Sequence, residues 1–271
     1  MSSASRFVLI AALPLATFAA AFLLLPLAQL VHTSASGPMG LSVYLHLLER
    51  PRYLRALLDT ALLSALVSLA AIAIATTAGL FLVRHRFAGR SLLIGLLTFP
   101  LAFPGVVVGF MIILLAGRQG VLNQVADLLG GRMVLAYSMT GLFLGYLYFS
   151  IPRVILTIMA AAEKIDPALE EAARSLGASP FAVLRDVTLP ALTPALVASG
   201  AIAFATAMGA FGTAFTLATN IDVLPMVIYT EFTLAANFAT AAALSVVLGL
   251  VTWVLLFAAR SLAGTTVAAG G

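Results

Sequence analysis

Residues 163–190 read EKIDPALEEAARSLGASPFAVLRDVTLP. Eight of the chain's 24 charged residues (14 basic, 10 acidic) fall here: Glu163, Lys164, Asp166, Glu170, Glu171, Arg174, Arg185 and Asp186. Long apolar runs flank the stretch, about 133–162 before it and 194–219 after it. Each run exceeds the roughly 20 residues that a helix needs to cross a bilayer core. A polar island between two such runs is a loop at a membrane surface. A loop of this length needs its own structure or a partner.

The rest of the chain supports that reading. Of 271 residues, 62% are apolar and 9% charged, against about 45–50% and about 25% in soluble domains. Mean hydropathy is +1.14. So few charges cannot cover so much apolar surface, which excludes a soluble globular protein, a disordered chain and a nucleic-acid binder. The basic surplus then reads as membrane topology. The absence of cysteine removes disulfides, thiolate metal sites and cysteine nucleophiles. His32, His46 and His85 are scattered in loops without metal-ligand spacing.

The expected fold class is an all-α integral membrane protein, because lone strands cannot satisfy their backbone in lipid. Six spans are expected, at about 7–31, 56–83, 92–116, 133–162, 194–219 and 239–259, in one transmembrane domain over 1–271. The first is longer than the 7–15 apolar residues of a signal peptide and is read as retained. The positive residues place both termini in the cytoplasm. Arg6, Arg84, Arg86, Arg90, Lys164, Arg174, Arg185 and Arg260 then face inward, against Arg50, Arg52, Arg55, Arg118 and Arg132 outside. Outer segments lie at 32–55, with an amphipathic run at 43–48, at 117–132, and at 220–238, where Pro225 can begin a short helix.

Within 163–190 the spacing predicts two short helices and a turn. Asp166 and Pro167 suit the N-cap and first position. Glu170 and Glu171 complement the helix dipole, and Glu170 pairs with Arg174 at i,i+4. Leu169, Ala172, Ala173 and Leu176 form one apolar stripe. Gly177 stops the helix. Ser179 and Pro180 start a second one, which Leu189-Pro190 ends before the fifth span. Two readings of the loop stand: a solvated amphipathic cap, or a docking element for another protein.

Glu171-Ala172-Ala173, then Gly177 after three residues, then Val187, Leu189 and Pro190, resembles the EAA loop of binding-protein-dependent ABC importer permeases. The spacings match throughout, and Val187 replaces the usual isoleucine. The resemblance implies a type I ABC importer permease of the bacterial inner membrane. Its loop, 163–190, would form coupling helices seated in ABC ATPase subunits. Glu171, Ala172, Ala173 and Gly177 would be contact and turn positions, and Val187, Leu189 and Pro190 anchors. It further implies a second permease subunit, identical or related, an extracytoplasmic solute-binding protein, and no cofactor on this chain, since the partner binds ATP. The chain has no G-x-x-x-x-G-K-[ST] loop of its own.

The segments Thr98–Gly105, Met208–Thr213 and Phe238–Ser245 resemble the group importing polyamines, ferric iron, thiamine and aminophosphonates, with spermidine/putrescine permeases nearest. Pathway candidates are Pro100, Pro104, Tyr146, Gly209, Phe211 and Gly212. The two prolines either line a path or merely kink a packed helix. Tyr137, Tyr148, Ser150, Thr206, Thr213 and Thr216 have pathway and packing readings alike. Gly105 with Gly109, and Gly141 with Gly145, suit close helix crossing. Arg153 lies inside the fourth span, as a snorkelling or structural residue or as part of a path. An ion-driven secondary transporter would carry paired midplane charges, and an intramembrane enzyme would carry Ser with His, paired Asp or H-E-x-x-H. The spans hold neither.

Overall fold

The computed structural model describes residues 12–217 and 221–262; positions 6–11 and 218–220, on which some expectations fall, lie outside it. In chain order the helices are α1 (Ala12–Ala35), α2 (Val43–Glu49), α3 (Pro51–Arg84), α4 (Arg90–Thr98), α5 (Gly105–Ala116), α6 (Val121–Leu128), α7 (Met139–Ala162), α8 (Pro167–Ser175), α9 (Pro180–Met208), α10 (Gly212–Leu217), α11 (Leu224–Leu234) and α12 (Phe238–Leu262). No strand occurs among the described residues. Among the described residues six helical stretches are long and apolar enough to cross a membrane. Their outward faces carry large exposed side chains such as Phe22, Leu25, Phe110, Trp253 and Phe257. Hydrocarbon accepts such a surface and water does not.

The chain forms two compact units, Met1–Ala56 with Val227–Val251, and Leu57–Met226 with Thr252–Gly271. In the first, the Ser34 and Tyr44 hydroxyls share a 2.6 Å hydrogen bond between α1 and α2. The carboxylate of buried Glu231 accepts from the Tyr53 hydroxyl at 3.0 Å and from Asn237 Nδ2 at 3.4 Å. These bonds offset the cost of withdrawing a carboxylate from water.

In the second unit α7 is central. Toward the 163–190 loop, Val154, Ile155 and Ile158 pack with Ala71 and Ala75 of α3 and Leu192 and Ala203 of α9. Toward its other end, Leu142 and Tyr146 pack with Leu63, Val67, Ile112 and Leu217. Alanines let these backbones approach where lipid supplies no hydrophobic drive between helices.

Two segments read as continuous spans are broken. In 92–116, α4 ends at Thr98, a 3₁₀ turn covers Phe99–Ala102, and α5 begins at Gly105. Phe103 is extended (φ −97°, ψ 132°), as the clash with the Pro104 ring requires, and Pro104 has no N–H to donate. In 194–219, α9 ends at Met208 and α10 restarts at Gly212. Side chains from neighbouring helices bond to the backbone at each break. The Tyr146 hydroxyl donates to Ala210 O at 2.7 Å, and Thr213 Oγ1 to Gly105 O at 2.9 Å. The breaks meet at their glycines. A Cβ on Gly212 would lie 2.9 Å from Val106 N, and one on Gly105 3.1 Å from Thr213 Oγ1.

Candidate functional site

The 163–188 hairpin is built by its caps. The Asp166 carboxylate accepts from Ala168 N at 2.9 Å, and Ser179 Oγ accepts from Ala182 N at 3.3 Å. Between them Gly177 has φ +84°. The Ala178 N–H donates to Ala173 O at 3.1 Å and the Gly177 N–H to Arg174 O at 2.9 Å, the paired bonds of a Schellman ending. A Cβ on Gly177 would meet nothing within 4 Å. Glycine is therefore needed for its left-handed backbone, which costs an L-residue about 1–2 kcal/mol.

The second helix does not end at Leu189-Pro190. It passes through a π turn at Leu184–Thr188 and continues as α9. The widened turn lies beside Pro190, where the ordinary ladder would lack a donor. A continuous helix thus runs from the hairpin to the second helix break.

Glu170 fixes the hairpin in place. Its carboxylate pairs with the Arg84 guanidinium at the end of α3, accepts from Thr188 Oγ1 at 2.7 Å, and pairs with Arg174 at 3.1 Å. Arg84 also donates to Thr188 Oγ1 at 3.1 Å. Three segments converge on one partly buried carboxylate. Arg90 Nε donates to Leu82 O at 2.6 Å and caps α3 beside this clamp.

The opposite face of the hairpin has no cover. Leu169 is 54% exposed, Leu176 90% and Phe181 69%; Glu171 and Ala172 are exposed beside them, and Ala173 is half-buried. Val187 and Leu189 are half-buried and Pro190 is exposed, whereas Val183 and Thr188 are buried. The Arg185–Asp186 pair between neighbours is exposed and contributes little.

A second feature lies where the broken helices meet. A cavity of about 310 Å³ is lined by Pro100, Phe103, Phe149, Arg153, Thr206, Gly209, Gly212 and Thr213, among others. Of the pathway candidates it gathers Pro100, Gly209 and Gly212. Pro104 is exposed and outside its lining. Tyr146 is 1% exposed and occupied with the Ala210 carbonyl, so it belongs to the core. Phe211 is half-buried and packs on Phe215, with ring centroids 5.4 Å apart. Arg153 does not snorkel alone; its Nη1 donates to Thr206 Oγ1 at 3.0 Å. Among the described residues no group of three or more His, Cys, Asp or Glu could hold a metal ion.

Sequence and structure comparisons cover both features. ModB, a molybdenum transport system permease protein of Escherichia coli (strain K12), is 35% identical over 178 residues, 62% of this chain and 77% of that protein. CysT, a sulfate transport system permease protein of Salmonella typhimurium, is 32% identical over 204 residues, 75% of this chain and 72% of that protein. The crystal structure of a bacterial ABC transporter involved in import of the acidic polysaccharide alginate superposes with TM-score 0.78 at 20% identity, covering 97% of this chain and 96% of that one. At that identity the likeness establishes a common fold. The model of one family matches residues 71–265, which include the hairpin and both helix breaks. The chain belongs to that family, the binding-protein-dependent transport system inner membrane component.

Proposed function

We propose that this chain is the permease subunit of an ATP-driven importer. Its hairpin is the seat for a separate ABC ATPase, and the cavity at the helix breaks is part of the solute path. The observation that carries the reading is the uncovered face of the hairpin, where Leu169, Ala172, Leu176 and Phe181 are exposed. Burying one Leu or Phe there stabilises a complex by about 1.5–3 kcal/mol. A solvated cap would present polar groups at these positions. Glu171 stands beside the stripe as an exposed charge available to a basic partner.

The mechanism follows from the connections. Two such permeases, identical or related, face each other above two ATPase subunits, with a solute-binding protein on the outer side. Hairpin and both termini are cytoplasmic, in a bacterial inner membrane. ATP closes the ATPase pair and draws the hairpins together. Through α9, which is continuous from Pro180 to Met208, the displacement reaches Gly209 and Gly212. The helices there exchange one packing for another. The chain contributes no hydrolytic chemistry of its own.

The molybdenum and sulfate transport named for the two relatives supports a small solute. A spermidine/putrescine-type substrate is the second reading, favoured by the Thr98–Gly105, Met208–Thr213 and Phe238–Ser245 segments. Leu176→Asp tests the docking face. Complexes carrying it should retain less than a tenth of the ATPase subunit on co-purification, with the permease still folded in detergent. Undiminished retention contradicts the assignment.

A further inference from the structure

Arg153 lies fourteen residues into the 24-residue helix α7. At 1.5 Å per residue it is about 13 Å short of the loop end of that helix. A charge at such depth is costly to insert. Among the described residues no carboxylate lies within ion-pair distance of Arg153. Among the described residues its guanidinium donates only to the Thr206 hydroxyl, which itself donates to Ile202 O at 2.7 Å. Most of the five guanidinium donors therefore remain free, and the side chain lines the cavity between the two helix breaks.

No Asp or Glu lines that cavity. A cavity with one cation, hydroxyls and no acid favours an anion, and a planar guanidinium fork matches two oxygens of an oxyanion better than it matches halide. About 310 Å³ accommodates an anion of a few heavy atoms with part of its hydration shell, a water occupying about 30 Å³. A polyamine would meet repulsion from a fixed like charge in a site of low dielectric.

We infer that Arg153 is the specificity-determining contact of the path and that the transported solute is a small oxyanion. The inference rests on the importer reading above. It is tested in proteoliposomes holding the whole importer, with sulfate, molybdate and putrescine as separate labelled probes. The wild type should accumulate at least one of the two oxyanions and exclude putrescine. Arg153→Gln should lower that uptake at least tenfold while ATPase rate and subunit assembly stay within twofold. Arg153→Lys should retain an intermediate rate. Accumulation of putrescine by the wild type, or wild-type oxyanion uptake by Arg153→Gln, overturns the inference. Loss of assembly in both variants also overturns it, assigning Arg153 to packing. A wild-type complex that accumulates none of the three probes also overturns the inference, whereas a permease that assembles with no ATPase subunit refutes the importer reading itself.

Discussion

Glu170→Ala is expected to reduce ATP-driven uptake at least tenfold while leaving the membrane helices folded. The substitution removes the carboxylate on which Arg84, Arg174 and Thr188 converge. Charge-assisted hydrogen bonds contribute about 1.5–3 kcal/mol each when buried. Here both arginines are substantially exposed, at 39% and 55%, so screening lowers the sum to about 1–3 kcal/mol. That amount is enough to populate a hairpin detached from α3 and α9. ATP hydrolysis should continue and uptake should fall, a split that marks lost transmission. The hairpin should also become more sensitive to protease. Arg174→Ala is the internal control, because it deletes only the exposed i,i+4 pair, worth about 0.2–0.5 kcal/mol. Uptake by Glu170→Ala at the wild-type rate contradicts the clamp.

Gly212→Val should lower the thermal midpoint of the detergent-solubilised protein by several degrees and abolish uptake. Its Cβ would lie 2.9 Å from Val106 N and 3.3 Å from Gly105 C. Both are backbone atoms that cannot rotate away. The two breaks must separate, and the Thr213–Gly105 hydrogen bond is lost with them. Overpacking of this kind costs about 1–3 kcal/mol. The matched control is Gly95→Ala in α4, where a Cβ would meet nothing within 4 Å. That change should be neutral or slightly stabilising, since alanine is the better helix former. Equal midpoints for the two variants contradict the close approach of the breaks.

Local chemistry carried its message in the sequence. Asp166-Pro167 and Ser179-Pro180 cap the hairpin helices, and Gly177 ends the first of them, because capping depends on neighbours within a few residues. Pro225 begins α11 in the same way. What was not legible depends on partners far along the chain. Glu170 was visible as the i,i+4 partner of Arg174, but Arg84 is 86 residues away and read only as a topology signal. The break at Gly209 was hidden because apolar composition continues through it. Tyr146 read as a path-lining aromatic, yet it donates to the Ala210 carbonyl at the second helix break. The ending at Leu189-Pro190 failed because a π turn upstream absorbs the proline. Arg153 was conspicuous as an intramembrane charge, but the cavity beside it arises from the turn after α4 together with α5, α7, α9 and α10.

The central claim is that force from a separate nucleotide-driven subunit enters through the hairpin. The most direct measurement is solute accumulation in proteoliposomes reconstituted with and without the ATPase, the binding protein and ATP being present in both. Uphill accumulation should occur only where the ATPase is present. Uphill accumulation by vesicles lacking it would contradict the account.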